Sequence, residues 1–405
     1  MLLGRRIKTT LSLLVAMLIL LGMVSSAMAV SVEDIRNKTD LTLSYYNQQV
    51  AYDDWQGLGL RWLGTEIAPK LEASSATIAS DYARLLLGQI AAGRPAVTVN
   101  ATIAALQGMQ GPGGDFNTVG AVTLNQTIWP VIALNFAAKN GYAVSYDQAD
   151  AAAYIAAQQD AGGGFDESGW GVDVDSTAHA LIALSSYQSD YPQAIDQALS
   201  YLKSQQDLSG GFQSWGSVSP DSTAAVIEAL IALGHDPQSP SGTGWKGNMV
   251  QAMLGYQLES GAFYAPWTAG IANSITTRSA LLALGDLAQN KSKYHNTLPV
   301  TGSLALTVTN NGNLHPDSDT GINVKVNNAS GNNIDFLVIT ALYDLSANKM
   351  KVYTSLSQSI AAQGVINAQY GLSLPSAGSY ELRVFVWNNW TDRTPLTAAT
   401  IMPIE

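Results

Sequence analysis

Gln158–Leu184 reads QQDAGGGFDESGWGVDVDSTAHALIAL, and Gln205–Leu233 reads QQDLSGGFQSWGSVSPDSTAAVIEALIAL. The two stretches share one plan: a helix ending in Gln, a Gly-rich turn carrying an aromatic, a short loop, then Asp-Ser-Thr-Ala opening a second helix. Reduced to Gln-x-x-x-Gly-x-Phe, the turn recurs at Gln110/Gly114/Phe116, Gln159/Gly163/Phe165, Gln206/Gly210/Phe212 and Gln257/Gly261/Phe263. Successive phenylalanines are 49, 47 and 51 residues apart, and four matches in phase specify an array of helical hairpins.

The helices on either side of each turn are of two kinds. In 192–206 the apolar residues Ile195, Leu199 and Leu202 form one stripe, with Asp196, Gln197, Ser200 and Lys203 opposite, as in a helix with a wet back. In 221–234 nearly every face is apolar and Glu228 is the only charge after Asp221, which predicts a helix buried all round. Outer and inner helices then pair as 32–49 with 52–63, 65–74 with 79–92, 98–110 with 122–139, 147–160 with 175–187, 192–206 with 221–234, and 245–258 with 273–289. Six hairpins in two layers imply a closed (α/α)6 toroid rather than an open solenoid, whose ends need polar caps.

The Gln-x-x-x-Gly-x-Phe turns followed by Asp-Ser-Thr-Ala resemble the prenyltransferase and squalene oxidase repeats of the terpenoid cyclase and protein prenyltransferase superfamily, over roughly residues 40–290. The resemblance implies the toroid but no single activity, because the same fold serves cyclases, cobalamin carriers and complement-type domains.

Outside the repeats, Arg5, Arg6 and Lys8 precede the apolar run Leu11–Val24, and Ala27-Met28-Ala29 is a small-residue cleavage site. This is the pattern of a Sec-type signal peptide over 1–29, with no membrane span left after cleavage, and it predicts an extracellular or cell-surface protein. The chain has no cysteine, hence no disulfide and no lipid-bearing thiol. Its formal charge is −11, and loss of the three basic residues of the leader makes it −14, a surface that repels nucleic acid.

From about Thr297 the text changes to short β-branched and aromatic runs: Leu304–Val308, Ile322–Val326, Phe336–Tyr343, Lys351–Thr354 and Tyr380–Trp387. The expected organisation is a signal peptide (1–29), a helical domain (30–292), a linker (293–300) and an antiparallel β-sandwich (301–405). The last resembles the immunoglobulin-like modules of bacterial surface proteins, and its plain role is a spacer or adhesion module.

Chemistry has few candidates. Asp173 and Asp175, in Val-Asp-Val-Asp-Ser, partly match the Asp-x-Asp-Asp acid motif of class II terpene cyclases, with Ser176 in place of the third acid. A buried, hydrogen-bonded carboxyl can act as a strong general acid in such a motif. By repeat phase Asp175 aligns with Asn125 and Asp221, an Asn/Asp interchange that suits helix N-caps and not a general acid. Asp173, against Thr123, Ser219 and Gly270, and His179, against Trp129, Ala225 and Thr276, are off-repeat polar residues. Asp173, Asp175 and His179 together form the best polar cluster, against the plain reading of a solvated acid and a His satisfied by a capping Asp.

Trp170, Trp215, Tyr264 and Trp267 lie in loops leading to inner helices, where they either line the mouth of the toroid or pack on their own hairpins. The zinc site that the resemblance would otherwise suggest needs a Cys thiolate, and none is present. His235, His295 and His315 have no ligand spacing, and Asp317-Ser-Asp319 reads as a turn rather than a calcium loop. No cofactor or metal is expected.

The leading expectation is an exported, non-catalytic binding protein that takes a small apolar or planar ligand, or a cell-envelope component, at the toroid mouth. The alternative is a reduced terpenoid-cyclase-like enzyme with Asp173 or Asp175 as acid. The two differ in structure. Binding at the lip goes with an inner barrel filled by side chains, which is the expected arrangement. Cyclisation needs an enclosed aromatic cavity with an acid pointing into it.

Overall fold

The computed structural model describes residues 29–116, 123–214, 216–239, 244–268, 270–299, 304–310, 314, 319–328, 333–347, 349–361, 364–391, 393, 395–397 and 399–404. The expected signal peptide lies outside them except for Ala29, as do Trp215, His315 and Asp317.

The helices are α1 (Val32–Asn47), α2 (Asp54–Trp62), α3 (Ala79–Ala91), α4 (Ala96–Gln107), α5 (Asn125–Lys139), α6 (Gln148–Ala157), α7 (Val174–Leu184), α8 (Pro192–Gln205), α9 (Pro220–Ala232), α10 (Met249–Leu254) and α11 (Ser274–Gln289). The two kinds separate as their sequences require. Every residue of α9 except Asp221 is buried, whereas α8 buries only Ile195, Ala198 and Leu202. Contacts run from α2 to α3, α5, α7, α9 and α11 in turn, and α11 packs back on α2. The helix at the start of the array therefore touches the one at its end.

One expected helix is absent. Residues 65–74 form a turn followed by a bridge in which Leu71 pairs parallel with Tyr52. Pro69 accounts for this: it has no N–H to donate and biases Ala68 to extended backbone. The hairpin that ends in α3 thus lacks an outer helix.

The repeated turn is the joint between neighbouring hairpins. Gly114, Gly163, Gly210 and Gly261 all have left-handed φ, from +87° to +95°. A Cβ on any of them would collide with the backbone of the next outer helix or its N-cap, at Asp150, Gln197, Asn248 and Leu41 respectively. The glutamine of each turn reaches the same neighbour. Gln110 Nε2 donates to Asp147 O (2.7 Å), Gln159 Nε2 to Ala194 O (2.8 Å), Gln206 Nε2 to Gly247 O (3.1 Å) and Gln257 Nε2 to Lys38 O (2.8 Å).

The four phenylalanines are fully buried in equivalent places. Their N–H groups donate to the hydroxyls of Thr127, Thr177, Thr223 and Thr277 at 3.2, 3.0, 3.1 and 2.9 Å. The last three of these threonines donate in turn to the carbonyls of Asp173, Ser219 and Asn273, each at 2.7 Å. This Thr, which belongs to the Asp-Ser-Thr-Ala signature in two of the four units, thus fastens each turn to the inner helix that follows it.

After α11, Lys293–His295 forms a 3-10 turn, and the stretch expected as a linker runs at first against the helices. Lys293 is fully enclosed, with Nζ 2.8 Å from Glu228 Oε2 and 2.9 Å from Asp286 Oδ2. Burial pushes the Asp286 carboxyl up to about 7 against the pull of Lys293, with Glu228 adding to the rise.

The remainder is antiparallel β-structure. β1 (Phe212–Ser214) and β2 (Ser217–Ser219) make a ribbon inside the helical part. Beyond it, β3 (Leu304–Asn310), β4 (Asp319–Asn328) and β7 (Val365–Ser373) form one sheet in the order β3-β4-β7. A second sheet has the order β6-β5-β8-β9, from β5 (Ile334–Asp344), β6 (Lys349–Ile360), β8 (Tyr380–Trp387) and β9 (Thr400–Pro403). Ile322, Val324 and Val326 of the first share a buried cluster with Phe336, Val338, Leu382, Val384 and Val386 of the second, so the sheets pack face to face.

Candidate functional site

The inner helices begin around a cavity of about 540 Å³. Its walls come from five of them: Trp55 (α2), Trp129 (α5), Asp175 and His179 (α7), Asp221, Ala225 and Glu228 (α9), and Ile275, Thr276, Arg278, Ser279 and Leu282 (α11). Ser219, Trp267 and Asn273 contribute from the preceding loops, and Tyr294 from the buried turn after α11. Trp267 and Ile275 are about 60% exposed, at 62% and 59%, while Tyr294 is buried, so the cavity is open at Trp267 and closed at Tyr294. The expected filled barrel is not found. The inner helices are rich in Ala and carry polar residues in their first turns, which leaves that end of the array too thin to fill.

The expected cluster divides. Asp173 is the N-cap of α7, accepting from Ser176 N at 2.7 Å, and its exposed side chain is not among those lining the cavity. Ser219 caps α9 and Asn273 caps α11 in the same way. Asp175 and Asp221 are therefore not caps, contrary to the phase argument. Each lies two residues past the cap, where the first turn of an inner helix points its side chain at the cavity.

Burial pushes the Asp175 carboxyl up, and the Ser222 hydroxyl and the His179 charge offset this only in part. The N-terminal end of α7 also favours the carboxylate, but desolvation outweighs it. Asp221 Oδ2 accepts from Thr276 Oγ1 at 2.8 Å. Oδ1 of Asp175 and Oδ1 of Asp221 are both enclosed without a hydrogen-bond partner.

His179 is not satisfied by a capping Asp. Its Nδ1 lies 2.9 Å from Glu167 Oε1, and its ring stacks at a tilt on Trp129 with centroids 4.8 Å apart. Burial opposes the charged form, yet Glu167, Asp175 and Glu228 together raise the imidazole to about 9. At neutral pH it is an imidazolium held against an indole face. Trp55 meets the same indole edge-on at 4.6 Å.

Glu167 is placed by its loop. The Asp166 carboxylate accepts from the N–H groups of Ser168, Gly169 and Gly171 at 3.1, 2.7 and 2.9 Å. The loop so fixed carries Trp170 at its tip, 89% exposed and outside the cavity lining. Tyr264 also lies outside the lining and stacks on Tyr256 at 5.1 Å. Of the expected residues, the cavity brings together Asp175, His179 and Trp267. It adds Trp55, Glu228, Arg278 and Tyr294, which the repeat pattern does not mark, and Asp221 and Trp129, which that pattern aligns with Asp175 and His179 without assigning them to a site. Among the described residues, no group of three or more His, Asp or Glu side chains is arranged to hold a metal ion.

Neither a family model nor a curated protein matches this chain. Among solved structures, the type II terpene cyclase MstE from Scytonema is similar at 13% identity and TM-score 0.47, covering 64% of this chain and 100% of that one. Native alpha-2-macroglobulin of Escherichia coli, from domain MG7 to its C-terminus, is similar at 12% identity and TM-score 0.35, covering 90% of this chain and 75% of that one. The Pseudomonas fluorescens alkylpurine DNA glycosylase AlkC has a TM-score of 0.20 at 13% identity, covering 93% of this chain and 97% of that one. None of these likenesses bears on what this chain binds.

Proposed function

We propose that this chain is an exported binding protein whose helical domain is an α/α toroid that takes a small, partly planar organic ligand into its central cavity. The observation that carries the reading is the cavity of about 540 Å³, walled by Trp55, Trp129 and Trp267 and open at one end. Concave sites of this size with aromatic walls and a few convergent polar groups are what small-molecule binders present. The toroid is supported by the succession of inner-helix contacts that returns to its start, and by four equivalent joints. Export is supported by the N-terminal sequence. The β-domain, read as an immunoglobulin-like surface module, serves as a spacer or attachment unit.

A second reading, acid-initiated cyclisation of a polyprene, is favoured by one observation: Asp175 lies in the aromatic-walled cavity with its carboxyl pushed up. It ranks below binding because Asp221, Glu228 and Ser279 line the same open cavity and would quench a carbocation. A cyclised product, lost in Asp175→Asn, would reverse that order.

Binding is tested with 2-naphthol, read by fluorescence of the wall tryptophans, on the wild-type chain and on Ala225→Trp, which fills the cavity from α9. The expected result is saturable binding that weakens at least tenfold in the variant. Equal binding by both proteins places the ligand elsewhere, and no binding by either removes the reading.

A further inference from the structure

We infer that the cavity is built for an organic cation, a primary ammonium carried on a planar apolar group, whose charge lies against Asp175 and Asp221. The inference rests on the binding reading and specifies its ligand class.

The argument is one of charge balance. The positive groups in and behind the cavity wall are already engaged. His179 faces Glu167 at 2.9 Å, Arg278 Nη1 lies 3.3 Å from Asp53, and Lys293 is held between Glu228 and Asp286. Asp175 and Asp221 form no salt bridge among the described residues, and they repel one another. Two carboxylates on adjacent inner helices thus share a partly dry cavity in which His179, the cation that acts on Asp175, is already paired with Glu167, and each carboxylate retains an enclosed oxygen without a donor. Buried charge of one sign is costly unless it is paired.

An ammonium entering the cavity supplies both the charge and three N–H donors. The indoles of Trp55 and Trp267 favour the same ligand, since ring faces attract cations and accept a planar group by stacking. The acidic balance of the chain also draws cations toward the opening.

The experiment is calorimetric titration of the full chain at pH 7 with phenethylammonium and with 2-phenylethanol, which has the same carbon frame without the charge. The cation is expected to bind at least tenfold more tightly. Asp175→Asn and Asp221→Asn should each weaken the cation at least tenfold and lower its preference over the alcohol. The two variants are independent, so if one fails to fold the other carries the test.

The inference is overturned if the alcohol binds as tightly as the cation, or if a folded Asn variant binds the cation as the wild type does. In either case alcohol binding leaves the cavity reading standing. Failure of both ligands to bind overturns the inference and removes support from the cavity reading as well.

Discussion

A histidine enclosed in a cavity wall ordinarily gives up its proton, because burial penalises the imidazolium. At His179 the carboxylates of Glu167, Asp175 and Glu228 outweigh that penalty and raise it to about 9 from an ordinary 6.5. The sign of the consequence follows from linkage. A group whose pKa is higher in the folded protein contributes stability that is complete below its unfolded value and disappears as pH rises through its folded value. The wild-type protein should therefore lose up to roughly 3 kcal/mol between pH 6.5 and 9.5 from this residue alone. Urea midpoints measured for wild type and His179→Gln should converge over that range, and midpoints that stay parallel would show that His179 is uncharged throughout. Glu167, which makes this possible, carried no repeat signal: it sits in the loop of a single unit, and only folding brings it to the ring 12 residues later.

At the scale of the element, the joints were legible and the helix starts were not. Gln, Gly and Phe recur at fixed spacing because each joint makes the same backbone contacts, so counting residues found all four. Counting failed beyond the phenylalanine because the loop to the anchoring Thr varies. It spans 11 residues at Phe116, 12 at Phe165, 11 at Phe212 and 14 at Phe263. In the last unit the cap is therefore Asn273 rather than Gly270, and the capping column is Asp173, Ser219 and Asn273, four residues before each Thr, whereas α5 follows Leu124 with no side-chain cap. Seen this way Asp173 is an ordinary member of its column. The outer helix expected at 65–74 fails for a different reason: Pro69 has no N–H to donate and turns the chain there. The cap assignment has a direct test. Ser219→Ala should cost about 1 kcal/mol of stability, and Ser219→Asn, which keeps a neutral capping oxygen, clearly less. Equal losses in chemical denaturation would return the capping role to Asp221.

At the scale of the whole molecule, the helical domain is a set of similar joints, and one of them differs from the rest in a way that no single contact reveals. Gln110, Gln159 and Gln206 each grip a neighbour 37, 35 and 41 residues away, whereas Gln257 grips Lys38 across 219 residues. Chemically the four are alike, but kinetically they are not, because closing a long loop must precede any return from the contact it makes. The seam between α1 and α11 is thus the step that assembly leaves until the end, and a chain emerging N-terminus first holds α1 unpartnered until its last hairpin arrives. During refolding under pulsed hydrogen exchange, amides of α7 and α9 should gain protection before those of α1. Protection of α1 at the same moment would mean that the domain condenses as a single unit. Delayed closure leaves a transient in which the apolar side of the first helix is open to proteases and chaperones.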